Sequence, residues 1–293
     1  MTDISESFGG RHTSRPILIF DTSGINRLAD DSESKILAAG LQSSFFVRVT
    51  ESSLSEILAT PDPTRRKHLL DCLKRLCSGG ECIVPYQWVI ERLIRHFTNR
   101  PTSFDWRKVP VRCRQYEAEI TRQQIINEEL AAKQWQQARI LRKQFDDIYK
   151  KIQVNLEPLL NDPANQRPSI GEFIETSKRS IWTLGTILYD GFARKPCDED
   201  VLQSFYRLCP PFRTLLIALL MAGYERCVRD IKRDQSYRAG RMDLLMATYL
   251  PYCHQFIGTD AKQLRCLELI ALEGDVDVYI RHYDNLRSGI TGI

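Results

Sequence analysis

Residues 17–28 read ILIFDTSGINRL, and residues 254–264 read HQFIGTDAKQL. Each opens on a short apolar run of strand length and stops at an aspartate. Asp21 follows Phe20 directly; Asp260 follows Gly258 and Thr259. Thr22-Ser23-Gly24 then turns the chain, and a helix is expected over about 25–39, interrupted near Asp30-Asp31. Working outward, FFVRV (45–49), ECIVP (81–85) and VDVYI (276–280) are further strands. Thr50 caps a helix whose apolar face is Leu54, Ile57 and Leu58, with Ser53 as an alternative cap. Leu69, Leu70, Leu73 and Leu76 have helical spacing over about 63–77, and Ser78-Gly79-Gly80 ends that helix. Strand–helix–strand–helix–helix–strand is the order of an α/β sheet.

From about 86 to 240 no segment reads as a strand. Helices are expected over about 86–97, 112–155, 169–190, 198–207 and 211–235, with a loop at 161–168. The α/β order resumes near Gly240 with a helix at 241–252, the strand 254–258, a helix at 262–272 and the last strand. The expected organisation is one α/β domain, residues 1–90 and 240–293, split in sequence by an all-helical insertion over 91–239. No repeat of fixed period is present.

Bulk properties narrow the class without naming a partner. The net charge of +4, from 41 basic and 37 acidic residues, is too mild to mark a nucleic-acid-binding protein by itself. Its distribution is more informative: residues 207–241 hold eight basic against three acidic side chains, and 107–155 hold eleven against six. Such helices suit a wall that guides nucleic acid, and equally a mixed solvated surface. Tyr116, Trp135, Phe145 and Tyr149 offer stacking faces, with core packing as the plainer role. Nine cysteines at scattered spacing, without a CxxC pair, read as buried reduced thiols rather than a disulfide or zinc framework. The polar opening MTDISESFGGRHTSRP contains no apolar core of signal-peptide length, and no stretch has the ~18 apolar residues of a membrane span. The expected location is the cytoplasm.

The chemistry-bearing residues are acidic. Asp21 and Asp260 each follow a strand, and Glu56 lies on the first turns of a helix that follows a strand. Asp243 opens the helix before the Asp260 strand. Carboxylates at the C-terminal ends of parallel strands project into the crevice where α/β sheets bind ligands. Four gathered there would repel one another and raise their pKa values. A divalent cation removes that penalty, and hard oxygen ligands suit Mg²⁺ or Mn²⁺.

These segments resemble the PIN-domain nucleases. ILIFDTSGINRL (17–28) resembles the family's opening strand-then-Asp-Thr/Ser element, FFVRVTESSLSEIL (45–58) its strand and Glu-bearing helix, and DLLMATYLPYCHQFIGTDAKQL (243–264) its last two acidic elements. The resemblance covers about 1–90 and 240–293; compact PIN domains lack the long helical segment between. It implies a three-layer PIN-like fold with a central, mostly parallel sheet. It also implies metal-dependent endoribonuclease chemistry on single-stranded RNA, with Asp21, Asp243 and Asp260 as ligands of Mg²⁺ or Mn²⁺. Glu56 would bind a metal directly or through water, or orient the attacking water. Thr22, Ser23 or Thr259 would donate to a ligand carboxylate or the scissile phosphate. Asn26, one turn beyond Ser23, and Arg238 and Arg241, just before Asp243, join them as substrate-side candidates. The alternatives are a catalytically silent PIN-like scaffold or RNA-binding module, and a structure-specific DNA nuclease. A toxin-like role with a protein inhibitor, and a homo-oligomer, also follow by family analogy alone.

Overall fold

The computed structural model describes residues 15–77, 82–112, 170–228 and 243–291, with single positions between 132 and 140. Its centre is a five-stranded, wholly parallel sheet: β1 (Ile17–Phe20), β2 (Phe46–Thr50), β3 (Cys82–Ile83), β4 (Gln255–Gly258) and β5 (Tyr279–His282). The spatial order is β3-β2-β1-β4-β5. The chain therefore builds outward from β1 in one direction, then returns to lay β4 and β5 on its other side. The seam between β1 and β4 is the topological switch point, where open α/β sheets place ligands at the carboxyl ends of their strands.

β1 and β2 are buried along their whole length, whereas the edge strand β5 alternates exposed and half-buried residues. Side chains alternate across the sheet. Leu18, Phe20, Val47 and Val49 face one hydrophobic cluster; Ile17, Ile19 and Phe46 face the other. The first cluster is covered by α1 (Thr22–Ala29), α2 (Ser34–Ser44), α3 (Glu51–Leu58) and α4 (Pro63–Leu76). The second takes in α5 (Tyr86–Asn99), α6 (Ile170–Thr176), α7 (Lys178–Ala193), α8 (Glu199–Leu208) and α9 (Pro210–Val228). It also holds a 3-10 helix, Asp243–Tyr252, and α10 (Ala261–Glu273). The described helices of 170–228 thus share one continuous core with a face of the sheet. The last helix, α11 (Tyr283–Thr291), returns to the first face through Tyr283 and Leu286.

The elements differ from the expected ones in instructive places. The first helix starts at Thr22 rather than near Ile25, because Asp21 is its N-cap and accepts from Ser23 N–H. It ends at Ala29, and α2 begins afresh at Ser34. The helix expected over 169–190 is two, broken at the buried Ser177. The segment before β4 is 3-10 rather than α-helical; residues Leu244 to Tyr252 are buried without exception and Pro251 interrupts the donor series. Cys72, Cys77, Cys82, Cys209, Cys253 and Cys266 are free and buried, and Cys197 is free and half-buried. Much of the expected 112–155 helix, with Tyr116, Trp135, Phe145 and Tyr149, lies outside the described residues, as do Arg238 and Arg241.

No single described helix is long and apolar enough to cross a membrane. One bent pair, Glu199–Leu208 with Pro210–Tyr224, has the composition but turns through 102°. It sends Leu202, Phe205, Phe212 and Leu216 into the core.

Candidate functional site

The register of the sheet decides which side chains meet at its carboxyl edge. Leu18, Ile19 and Phe20 pair with Gln255, Phe256 and Ile257. The next positions bring Asp21 beside Gly258. A Cβ placed on Gly258 would lie 3.7 Å from the Asp21 Cβ and 3.5 Å from Ser23 Oγ. Asp21 N–H donates to the Ile257 carbonyl at 2.8 Å, so the β1 backbone is held to β4 up to the aspartate itself.

Asp21 is 7% exposed. Ser23 binds its Oδ2 twice, through Oγ at 2.7 Å and through the backbone N–H at 3.3 Å. The Ser23 hydroxyl also accepts from Thr259 N–H at 3.0 Å. With its acceptor side engaged by Thr259, that hydroxyl directs its proton at Asp21. The Thr259 carbonyl in turn meets His282 Nε2 at 2.9 Å, while His282 Nδ1 accepts from Asp284 N–H at 3.3 Å. The neutral imidazole with its proton on Nε2 satisfies both bonds. A hydrogen-bonded line therefore runs from β5 through Thr259 and Ser23 to Asp21.

Burial pushes the Asp21 carboxyl above its usual 3.8. The Ser23 hydroxyl and N–H, the Thr22 N–H and, most weakly, the Gln263 side chain pull it back without cancelling the shift. All these donors are neutral. Beside Asp21, Thr22 Oγ1 is buried and has no hydrogen-bond partner among the described residues. A buried carboxylate compensated only by dipoles is a high-energy group. A proton or a cation is what would relieve it.

Asp260 sits at the end of β4 and caps α10. Its Oδ1 accepts from Lys262 N–H at 2.9 Å and Gln263 N–H at 3.0 Å, and the residue is exposed. Asp243, half-buried, opens the 3-10 helix, and its carbonyl accepts from Gln263 Nε2 at 3.5 Å. Gln263 thus bonds both Asp243 and Asp260. It was not among the residues expected from sequence, and only its position three after a strand-ending aspartate pointed to it. Among the described residues no three His, Cys, Asp or Glu side chains form a ready-made metal-holding group.

The β2 side of the edge carries two glutamates. Glu56 is exposed on α3, whose buried side is Ser53, Leu54, Ile57 and Leu58. Glu51, the first residue of α3, is the better-buried one. Burial raises its pKa from 4.5, opposed by a short hydrogen bond from Ser55. Next to it Ser52 Oγ meets Tyr249 Oη at 3.3 Å, and Tyr249 Oη donates to the Val84 carbonyl at 3.2 Å. Ser53 Oγ donates to the Phe20 carbonyl at 3.3 Å and ties α3 to the end of β1. Asn26 is engaged elsewhere: its Oδ1 accepts from Arg65 Nη2 at 3.2 Å, beside the Arg65–Asp30 ion pair.

Comparison with protein-family models, curated proteins and solved structures finds no match to this chain.

Gly24 holds the seam closed. A Cβ there would stand 3.0 Å from both the Ile257 carbonyl oxygen and Phe20 Cδ1. That carbonyl is bound by Asp21 N–H and has no room to retreat. Gly24→Val is expected to destabilise the protein by about 1–3 kcal/mol through overpacking. Gly191, with nothing within 4 Å of its Cβ position, is the control. Gly191→Ala should stabilise by about 0.5–1 kcal/mol through helix propensity. Urea unfolding of both variants checks the pair, and equal effects would contradict the packing at Gly24.

Proposed function

We propose that this chain is a metal-dependent nuclease of the PIN type that hydrolyses phosphodiester bonds of single-stranded RNA. The observation that carries the reading is Asp21: a buried carboxylate, bound only by neutral donors, at the switch point of a parallel sheet. Asp260 follows β4, the strand paired with β1, and Gln263 bonds both it and Asp243. The oxygen-only donor set fits Mg²⁺ or Mn²⁺, and the partnerless Thr22 hydroxyl supplies a further polar atom at the same place. Mg²⁺ characteristically keeps several waters and is held by one or two carboxylates plus substrate phosphate. A preformed cage of three acidic side chains is not required.

When bound, such an ion polarises the phosphoryl oxygens and lowers the pKa of a coordinated water. The residues of this chain divide the remaining work. Asp21, Asp243 and Asp260 would hold the ion. Ser23 fixes the rotamer of Asp21 and uses one of the lone pairs of its Oδ2. Glu56, exposed on α3, would orient the attacking water or bind the ion directly or through water. The water oxygen would bond to phosphorus and release a proton to solvent, while the P–O bond to the leaving nucleotide broke and the leaving oxygen took up a proton from solvent. Thr22, Ser23 and Thr259 are the hydroxyl-bearing residues nearest this chemistry. Arg238 and Arg241 are the proposed cationic contacts to phosphate.

A second reading is a catalytically silent module that binds RNA or a protein without cutting, since among the described residues no three acids form a cluster. One experiment separates them. The purified chain is incubated with single-stranded RNA and with flap DNA, with Mn²⁺ or Mg²⁺ and with EDTA. The nuclease reading predicts RNA fragments that EDTA abolishes; intact RNA that is nevertheless retained by the protein would support the silent module. Preferential cutting of the flap would move the substrate class to structured DNA.

A further inference from the structure

We propose that this chain forms a two-fold symmetric dimer, in which the open edge of β5 pairs antiparallel with β5 of a second copy. The two edges of the sheet are finished differently. β3 is only two residues long, and beyond it Ile83 makes an antiparallel bridge to Arg112 while Val84 N–H donates to the Val111 carbonyl at 2.9 Å. β5 pairs with β4 on one side, and among the described residues no strand or bridge lies on its other side. An open strand edge is a template for another chain unless it is covered or disrupted.

The sequence of this edge is complementary to itself. Tyr279 N–H donates to the His254 carbonyl at 2.9 Å, so the backbone polar groups of Tyr279 face β4. Successive residues alternate, and those of Val278 and Ile280 therefore face outward. Side chains alternate in step: Asp277, Tyr279 and Arg281 are exposed, whereas Val278 and Ile280 are half-buried against the core. A two-fold axis through Tyr279 sets Val278 of one copy opposite Ile280 of the other, and each such pair exchanges two N–H···O bonds. The apolar face of the strand then continues from one copy into the next. On the other face the two Tyr279 rings, each 67% exposed, meet on the axis. The same register sets Asp277 opposite Arg281 of the second copy, once on each side of the axis. An axis through Asp277 or Arg281 would instead oppose like charges, which is destabilising, so charge selects the register.

The test needs neither metal nor RNA and is independent of the nuclease reading. Sedimentation velocity of the full chain is recorded across the micromolar range, with hydrogen exchange alongside. The proposal predicts a concentration-dependent dimer in which the amides of Val278 and Ile280 gain protection as the dimer fraction rises. Asp277→Arg turns both attractive pairs into like-charge pairs, and so does Arg281→Asp. Each should raise the dissociation constant about 10–100-fold. The double variant restores opposite charges across the axis and should dimerise as the wild type does, a rescue that misfolding would not give. A wild-type chain that stays monomeric throughout overturns the proposal. So does a dimer that neither single reversal weakens, or one that the double variant fails to restore.

Discussion

Asp21→Asn should abolish metal-dependent cleavage while leaving the protein as stable as before, or more so. Loss of a residue that merely orients a ligand is worth about 10–100-fold, so loss of a ligand carboxylate is expected to exceed ~100-fold in cleavage rate. The fold has little reason to suffer. Asn is as good an N-cap as Asp, and its amide oxygen can accept from Ser23 as Oδ2 does. The substitution also removes a charge that burial penalises. Single-turnover cleavage of labelled RNA and urea unfolding of the metal-free protein are the two measurements. Full cleavage by Asp21→Asn would end the nuclease reading. Lost cleavage accompanied by unfolding would assign Asp21 a structural role instead.

The same group gives a pH dependence with a definite sign. Its folded pKa lies above 3.8, so the folded state holds the proton more tightly than the unfolded chain. The stability it contributes is fully present below pH 3.8 and is lost as pH rises through the raised folded value. Metal-free wild-type protein should therefore lose stability across that window, and Asp21→Asn should lose less. Mn²⁺ should restore the difference at pH 7, because a bound cation adds RT ln(1 + [L]/Kd) to the folded state only.

How much of this could be read in advance depended on whether the signal was local. The strands beginning at Ile17 and Gln255 stand out because apolar runs of that length, each followed by an aspartate, are local patterns. So does the capping chemistry of Asp21 and Asp260. The two glutamates of TESSLSE were not separable by inspection. They are five residues apart, about 140° around a helix, so which one is buried depends on helix phase. That phase is set by Ser53 lying inward with Leu54, Ile57 and Leu58, and a serine does not announce itself as buried. Gln263 was invisible for a different reason: its side chain meets the backbone carbonyl of Asp243 on another element, and no spacing rule links the two. The 3-10 segment misled because DLLMATYLPY is apolar all round. A segment buried on every side has no amphipathic period to reveal its pitch.

Asp260 poses the sharpest test, because its plain role is already visible. It is exposed and accepts two backbone N–H bonds at the start of α10, as a helix cap should. If capping were its whole function, Asp260→Asn would keep it, at a loss of about 0.3–1 kcal/mol from the charge–dipole interaction. Asp260→Ala would lose the cap as well, about 1 kcal/mol in all. Neither would unfold a domain of this size at 25 °C, so a cap alone predicts near-normal cleavage in both. A metal ligand predicts that both fall together, by ~100-fold or more, although their stabilities differ. The decisive comparison is Asp260→Asn, which retains the cap and removes only the negative charge. Normal cleavage by that variant would remove Asp260 from the site. It would leave Asp21 and Asp243 as the carboxylates proposed to be available to a cation.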